Sequence, residues 1–427
     1  MITILGLGPG NPEHLTRQAW DILSQANEVY LRTRHHPTIA ALPEHLGVYS
    51  FDDLYETLDD FASVYETIAE RVVALGKRPE GVLYAVPGHP LVGESSVLRI
   101  LARAREEDLA VRLVEGLSFV EPVLSQLEID GLDGLQLADA TDLAAAHHPP
   151  LDPDRPALIG QLYGRRLASG VKLTLMNAYP DDHPVTLVRA AGTGQSDVST
   201  APLYKLDRGQ TIDHLTTLYV PALPHTGGFP AFQNTIARLR APDGCPWDRE
   251  QTHQTLRTNL LEEVYETLAA LDAEAGPAPD KLCEELGDLL MQIAMHVQIA
   301  TEAGSFQFAD VIGQIDAKLK RRHPHVFGDV EVEGTDDVLR NWEAIKADER
   351  SEAGPGAPSR LAGVPAILPA LARAQALGDR AARAGFDWPD LDGVLAKLNE
   401  EIAELRAARA PGARAQELGD VLFTLVN

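Results

Sequence analysis

Five acidic side chains crowd two short stretches: Glu262, Glu263 and Glu266 in the first, Glu285 and Asp288 in the second. In a helix, positions i, i+3 and i+4 share a face, so each group gathers on one side, and pairing the two helices makes the carboxylates converge. Like charges that close repel, whereas hard oxygen ligands in this number are what Mg2+ or Mn2+ requires. A single Glu-x-x-Glu pair more often just faces water. Here Leu260, Leu261 and Val264, and then Leu286, Leu289 and Leu290, flank the acids, so part of each helix face is core. The arrangement also recurs: Glu400, Glu401 and Glu404 are followed by Glu417 and Asp420. The spacer runs over 267–284 in the first copy and 405–416 in the second, a variation that suits a loop between two helices. Downstream of the first copy, Lys318, Arg321 and Arg322 stand at i, i+3 and i+4, with Lys320 between them. A basic last turn is favoured by the helix dipole alone; beside the acids it reads as a phosphate-binding face. His323 and His325 look like a zinc pair, but with no further ligands nearby they read better as a helix cap or loop filler. Trp247 fits stacking on a base or a place in the core, and the repeated Trp388 suits a structural role equally.

The elements that must position these groups fall into two textures. Ile2–Leu7, Gly81–Val86, Val111–Val114, Ala157–Leu162 and Thr186–Ala190 are strand-like, and amphipathic segments such as Leu15–Ala26 and Leu54–Leu75 lie between them. This is the pattern of an α/β domain with a mainly parallel sheet. After the last apolar stretch, Leu218–Val220, the Pro/Gly cluster Pro221–Pro230 marks a boundary. Beyond it, Gln233–Leu239, Thr255–Leu271, Lys281–Thr301, Phe308–Arg322 and Asp337–Arg350 carry apolar residues at helical spacing, and this half is all-α. Ser351–Ser359 has the composition of a second linker, after which helices resume at Ile367–Ala384 and Leu391–Ala408. The expected domains are 1–224, 228–350 and 360–427.

The 427 residues carry 37 Lys and Arg against 63 Asp and Glu, a net charge of −26. Such a charge repels phosphate backbones and anionic lipid, which argues against nucleic-acid or membrane partners. Two cysteines, Cys245 and Cys283, provide no disulfide framework or zinc site. With no basic region ahead of an apolar stretch at the N-terminus, and no apolar run long enough to span a bilayer, the expected location is cytoplasmic.

Cys245-Pro246-Trp247-Asp248, Glu262-Glu263-x-x-Glu266, Glu285-Leu286-Gly287-Asp288, Arg321-Arg322-His323-Pro324-His325-Val326-Phe327, Trp342-Glu343-x-Ile345-Lys346 and Gly385-Phe386-Asp387-Trp388 together resemble the MazG-type nucleoside triphosphate pyrophosphohydrolases. The resemblance covers roughly Gly228 to the end. It implies a helical bundle, usually dimeric or a higher homo-oligomer, that uses Mg2+ to split a nucleoside triphosphate into the monophosphate and pyrophosphate. Glu263, Glu266, Glu285 and Asp288 would be the metal ligands, with Glu262 and Glu263 acting on metal or water. Lys318 and Arg322, with Arg321, would bind phosphate. Glu401, Glu404, Glu417 and Asp420 would form a second ligand set. Hydrolysis between the α- and β-phosphates needs cations to bridge phosphate oxygens and orient water, which a carboxylate cage supplies.

Ile4-Leu5-Gly6-Leu7-Gly8-Pro9-Gly10-Asn11-Pro12 is a strand entering a Gly-rich turn, which alone suits simple tight packing. With Tyr84-Ala85-Val86-Pro87-Gly88-His89-Pro90 it resembles the tetrapyrrole (corrin/porphyrin) methylases, whose two α/β lobes bind S-adenosylmethionine between them. The likeness spans about Met1–Pro221 and implies that Pro9, Gly10, Gly88 and His89 line the cofactor cleft. Gly88-His89-Pro90 stands where that family commonly has Gly-Asp-Pro, which removes a carboxylate. A methylase-like domain followed by a MazG-like one resembles the YabN-type fusion proteins.

Three readings follow. The first is a Mg2+-dependent nucleoside triphosphate pyrophosphohydrolase, with house-cleaning of non-standard nucleotides as one setting. The second is an S-adenosylmethionine-dependent methyltransferase dimerised by its helical half, and the third is a non-enzymatic nucleotide sensor. The sequence stops at Asn427 inside an apolar run, with no basic helix after the second acidic copy, so that copy is expected to be truncated and the first to carry catalysis.

Overall fold

Short runs of fully buried aliphatic residues set the first half. Ile2, Ile4 and Leu5 have no exposure, and they build β1 (Ile2–Gly6), an interior strand of a five-stranded sheet. The computed structural model describes residues 1–58, 60–209, 211–225, 227–272, 276, 278–352, 364–383 and 385–426, leaving aside the side chains of 343, 347, 348 and 350–352. It divides into two units, Met1–Gln298 and Ile299–Asn427.

In the first unit, β1 leads through α1 (Arg17–Gln25) to β2 (Glu28–Leu31) and β3 (Gly47–Ser50). Then come α2 (Asp52–Thr57), α3 (Phe61–Gly76), β4 (Val82–Val86), α4 (Ser95–Glu106), β5 (Val111–Val114) and α5 (Val120–Leu127). The sheet order is β3-β2-β4-β1-β5, every pairing parallel. Thr16 caps α1 by accepting from the Ala19 N–H. Leu54–Leu75, which reads as one segment in sequence, becomes two helices. The Asp60 carboxylate accepts from the Ser63 N–H and starts a new helix there.

A second lobe follows: β6 (Gln136–Asp139), α6 (Ala140–Ala145), β7 (Ala157–Gly160), α7 (Arg165–Leu175), β8 (Pro184–Arg189), β9 (Asp197–Pro202) and β10 (Thr216–Val220). Its order is β6-β7-β10-β8-β9. Only β6 and β7 pair in parallel; β10 with β7, β10 with β8 and β8 with β9 are antiparallel. The mainly parallel sheet expected from sequence therefore holds for the first lobe alone. Among the described residues only a single 3-10 turn, Leu203–Lys205, and no α-helix lies between β8, β9 and β10, and strands joined without a long crossover pair antiparallel.

The helical half begins, still in the first unit, with α8 (Phe229–Arg240), α9 (Pro246–Glu250), α10 (Arg257–Leu271) and α11 (Pro279–Glu302), the last of which runs past the boundary between units. The second unit holds α12 (Phe308–Arg322), α13 (Pro324–Phe327), α14 (Thr335–Glu352), α15 (Ala370–Arg383), α16 (Leu391–Ala407) and α17 (Pro411–Leu425). Each acidic copy thus sits on two successive helices, α10 with α11 and α16 with α17. From residue 353 the expected linker lies outside the described residues, as do Ala384 and Asn427. Among the described residues, no helix is long and apolar enough to cross a membrane.

Candidate metal centre

One oxygen each of Glu263 on α10 and of Glu285 and Asp288 on α11 lie within 4.8 Å of one another. Glu285 is the deepest, at 2% exposure. Its Oε1 is 2.5 Å from Lys281 Nζ, and its Oε2 is buried with no hydrogen-bond partner. Lys281 also reaches Glu284 at 3.1 Å and is more than half exposed. A buried carboxylate costs several kcal/mol in lost hydration, and one lysine reaching in from solvent offsets little of it. A buried carboxylate oxygen with nothing to accept from, on a residue whose carboxylate meets two others, is what a divalent cation would satisfy. Thr267 Oγ1 donates to the carbonyls of Glu263 at 2.8 Å and Glu285 at 3.5 Å, pinning α10 to α11 at the cage.

Burial, followed by the charges of Asp288, Glu266 and Glu285, raises the Glu263 pKa above the ordinary carboxylate range. Glu266 is exposed and outside the three-residue set, yet close enough to act on Glu263. Glu262 faces outward. Lys281 was missed in the sequence; its only signal is the i−4 spacing from Glu285.

The second copy repeats the geometry. Glu401, Glu417 and Asp420 offer oxygens within 4.8 Å of one another. Glu401 is buried and takes Lys397 Nζ at 2.8 Å, while Lys397 also reaches Glu400 at 3.1 Å. Burial and then Glu404 and Asp420 raise the Glu417 pKa. The lysines sit on different helices: Lys281 precedes Glu285 on the second helix of its copy, whereas Lys397 precedes Glu401 on the first.

In the second unit, Arg321 and Arg322 converge on Glu349 of α14, at 2.6 and 2.5 Å. Their hydrogen bonds, that of Arg322 first, pull the Glu349 pKa down to about 2. A phosphate at these guanidiniums must compete with that carboxylate. Lys318 is exposed, and Lys320 pairs with Asp316 at 2.8 Å. Trp342, in a motif given no role from sequence, has Lys346 Nζ 3.5 Å and the Arg322 guanidinium 5.9 Å from its ring centre. His323 Nδ1 donates to the Leu319 carbonyl at 2.7 Å, capping α12, and neither His323 nor His325 belongs to a metal-ligand group among the described residues. Trp247 and Trp388 are 57% and 40% exposed, so neither is a core residue among the described residues.

In the first lobe, the loops after β1 and β4 are tied by paired backbone bonds, Gly8 N–H to Gly88 O at 3.2 Å and Gly88 N–H to Gly8 O at 2.8 Å. This brings Pro9, Gly10, Gly88 and His89 into adjacent turns. Gly88 has a φ of +67°, a conformation that favours glycine. A Cβ on Gly6 would lie 2.5 Å from Gly88 O, so the strand ends close on bare backbone. His89 Nδ1 accepts from the Leu91 N–H at 3.0 Å, fixing the imidazole within its own turn.

Residues 1–207 match the family model of tetrapyrrole (corrin/porphyrin) methylases, and residues 251–327 match that of the MazG nucleotide pyrophosphohydrolase domain. An α/β methylase domain joined to helices bearing a carboxylate cage is therefore the class. The chain is 42% identical over 381 residues to the uncharacterized protein YabN of Bacillus subtilis strain 168, covering 88% of this chain and 76% of that protein. The chain belongs to this family of methylase–MazG fusions. Over 199 residues it is 42% identical to the nucleoside triphosphate pyrophosphohydrolase/pyrophosphatase MazG of Thermotoga maritima, covering 47% of this chain and 74% of that protein. Over 198 residues it is 46% identical to the nucleoside triphosphate pyrophosphohydrolase of Escherichia coli K12, covering 45% and 73%.

Proposed function

We propose that the chain is a nucleoside triphosphate pyrophosphohydrolase, converting a nucleoside triphosphate and water to the monophosphate and pyrophosphate at the cage on α10 and α11. The observation that carries the reading is the buried, unpartnered Glu285 Oε2 within a three-carboxylate cluster, in a stretch similar to enzymes named for this reaction. A bound Mg2+ or Mn2+ would neutralise phosphate charge and lower the pKa of a coordinated water. Glu263, Glu285 and Asp288 hold the cation, with Glu266 adding negative charge at the rim. Glu262, next to Glu263 in sequence but exposed, is assigned to orienting water. Lys318, Arg321 and Arg322 are assigned to phosphate, the guanidinium fork suiting bidentate contact. Discarding non-standard nucleotides is the cellular role that suits this activity.

The proposal keeps the domains 1–224, 228–350 and 360–427 and a cytoplasmic setting, which suits the free thiols Cys245 and Cys283. A homodimer or higher homo-oligomer would cover exposed Leu261, Tyr265 and Leu268 on α10 and Leu286, Leu290 and Ile293 on α11. In the α/β half, the joined loops at Pro9, Gly10, Gly88 and His89 are assigned to S-adenosylmethionine. The Gly8–Gly88 tie and the methylase family support this assignment, which calorimetry with the cofactor tests. The experiment for the main reading is a nucleoside triphosphate panel with Mg2+, followed by pyrophosphate release. Release is expected with Mg2+ and not with chelator; no release from any nucleotide would leave the methyltransferase or sensor reading.

A further inference from the structure

An anion already sits on the basic face of α12. Arg321 donates to Glu349 Oε1 of α14 through Nε at 2.8 Å and through Nη2 at 2.6 Å. Arg322 donates through Nε at 3.3 Å to the same oxygen and through Nη2 at 2.5 Å to Oε2. The carboxylate thus takes the same edge of both guanidiniums, an edge that fits a carboxylate or a phosphate bidentately. The Arg322 side chain is 15% exposed and that of Glu349 21%. Solvent therefore screens this pair less than it screens Lys320 with Asp316, where both partners are more than half exposed.

Arg321 and Arg322 end α12, and the C-terminal end of a helix dipole disfavours a nearby negative charge. What holds Glu349 there is the guanidinium pair, the feature a phosphate would use. The face of α14 brings it in: Trp342, seven residues earlier on the same helical face, has its ring centre 5.9 Å from the Arg322 guanidinium. A phosphate that took the other edge of either guanidinium would sit beside the carboxylate and be repelled by it. Two of the three cations assigned to phosphate are thus held by one acidic side chain of the same protein.

We propose that Glu349 is an autoinhibitory latch: in the resting protein its carboxylate occupies the Arg321 and Arg322 guanidiniums that a phosphate chain takes, and it must leave them before the chain binds. This rests on the reading of Arg321 and Arg322 as phosphate-binding residues. A site competent only when the latch is open has its affinity reduced by the open fraction, equally for every ligand that needs the arginines. Substrate and pyrophosphate product are therefore weakened by the same factor, and the product leaves sooner than unoccupied arginines would allow. For an ion pair of this partial exposure the factor is about three- to tenfold.

The test uses the full chain and inorganic pyrophosphate, titrated by calorimetry in Mg2+-free buffer so that the carboxylate cages contribute nothing, with thermal melts to show that each variant is folded. Glu349→Gln keeps the side-chain volume and an acceptor oxygen and removes the charge. It should bind pyrophosphate about three- to tenfold more tightly than wild type and lower the nucleotide KM by a similar factor. Glu349→Ser serves if the glutamine variant does not fold. Arg322→Ala should bind pyrophosphate about tenfold more weakly. If Arg322→Ala binds pyrophosphate like wild type, the phosphate reading of α12 itself fails. If Arg322→Ala loosens binding while the folded Glu349 variant binds like wild type or more weakly, the carboxylate supports the guanidiniums instead of blocking them, and the latch alone is overturned.

Discussion

Replacing Glu285 with glutamine separates a carboxylate kept for a cation from one kept for structure. Its oxygen lies within 4.8 Å of oxygens of Glu263 and Asp288. Two unit charges at that distance repel by about 3.5 kcal/mol at an effective dielectric of about 20. Against this relief stands the lost pair with Lys281, whose exposed end limits its contribution to about 0–1 kcal/mol. Cation-free Glu285→Gln should therefore melt no lower than wild type. With Mn2+ at roughly a hundred times its dissociation constant, binding adds about 2.7 kcal/mol to the wild-type fold. For a domain of this size that corresponds to a rise of roughly 5–10 °C. The variant should show almost none of it. The assay is a pair of thermal melts with and without Mn2+, in the Glu401→Gln background so that the second cage contributes little. A variant that melts several degrees lower without metal would make Glu285 a structural partner of Lys281. One that gains the full Mn2+ shift would remove it from the ligand set.

Three further outcomes follow from the geometry. Lys318→Ala and Arg322→Ala should lower kcat/KM for nucleotide hydrolysis, Arg322→Ala by about tenfold or more and Lys318→Ala by less, because only the guanidinium binds phosphate bidentately; unchanged efficiency in both would return α12 to an ordinary basic helix end. Glu401→Gln should leave hydrolysis largely intact while Glu263→Gln abolishes it, and the opposite result in matched turnover assays would move catalysis to the second copy. Burial, with Arg32 and His214, pushes the His36 pKa down from 6.5 to about 4. The unfolded imidazole therefore takes up a proton as pH falls through about 6.5 while the native one stays neutral, so stability should fall between about pH 6.5 and 4, by up to about 3 kcal/mol. Denaturant melts of His36→Gln should show a flatter pH slope, and an unchanged slope would contradict this.

The sequence made the acidic copies legible because helical spacing fixes which residues share a face, and Glu263, Glu285 and Asp288 do meet. It did not place Glu266, which is three residues from Glu263 but remains at the rim, because spacing gives the face of a helix and not the depth at which a neighbouring helix packs. Lys281 escaped notice for a related reason: it is an unremarkable polar residue until its partner one turn along the same helix is known. In the first lobe β1, β4 and β5 read well as apolar runs separated by helices, while β2 and β3, four residues each with Glu28, Gly47 and Ser50 among them, did not stand out. β9 did not: in Asp197–Pro202 only Val198 and Ala201 are apolar, at positions three residues apart rather than alternate, and the edge location of the strand leaves it half in solvent. Arg321 and Arg322 were legible as a basic face, but their common partner Glu349 lies on another helix of no fixed sequence separation.

The central claim is that Glu263 and its neighbours hold the cation for pyrophosphate release, and phosphorus NMR of a nucleoside triphosphate with the full chain and Mg2+ tests it most directly. Wild type should yield monophosphate and pyrophosphate as the only phosphorus products, and Glu263→Gln, folded by its melting curve, should yield neither. Orthophosphate as the first product, or undiminished pyrophosphate from the variant, would contradict the account.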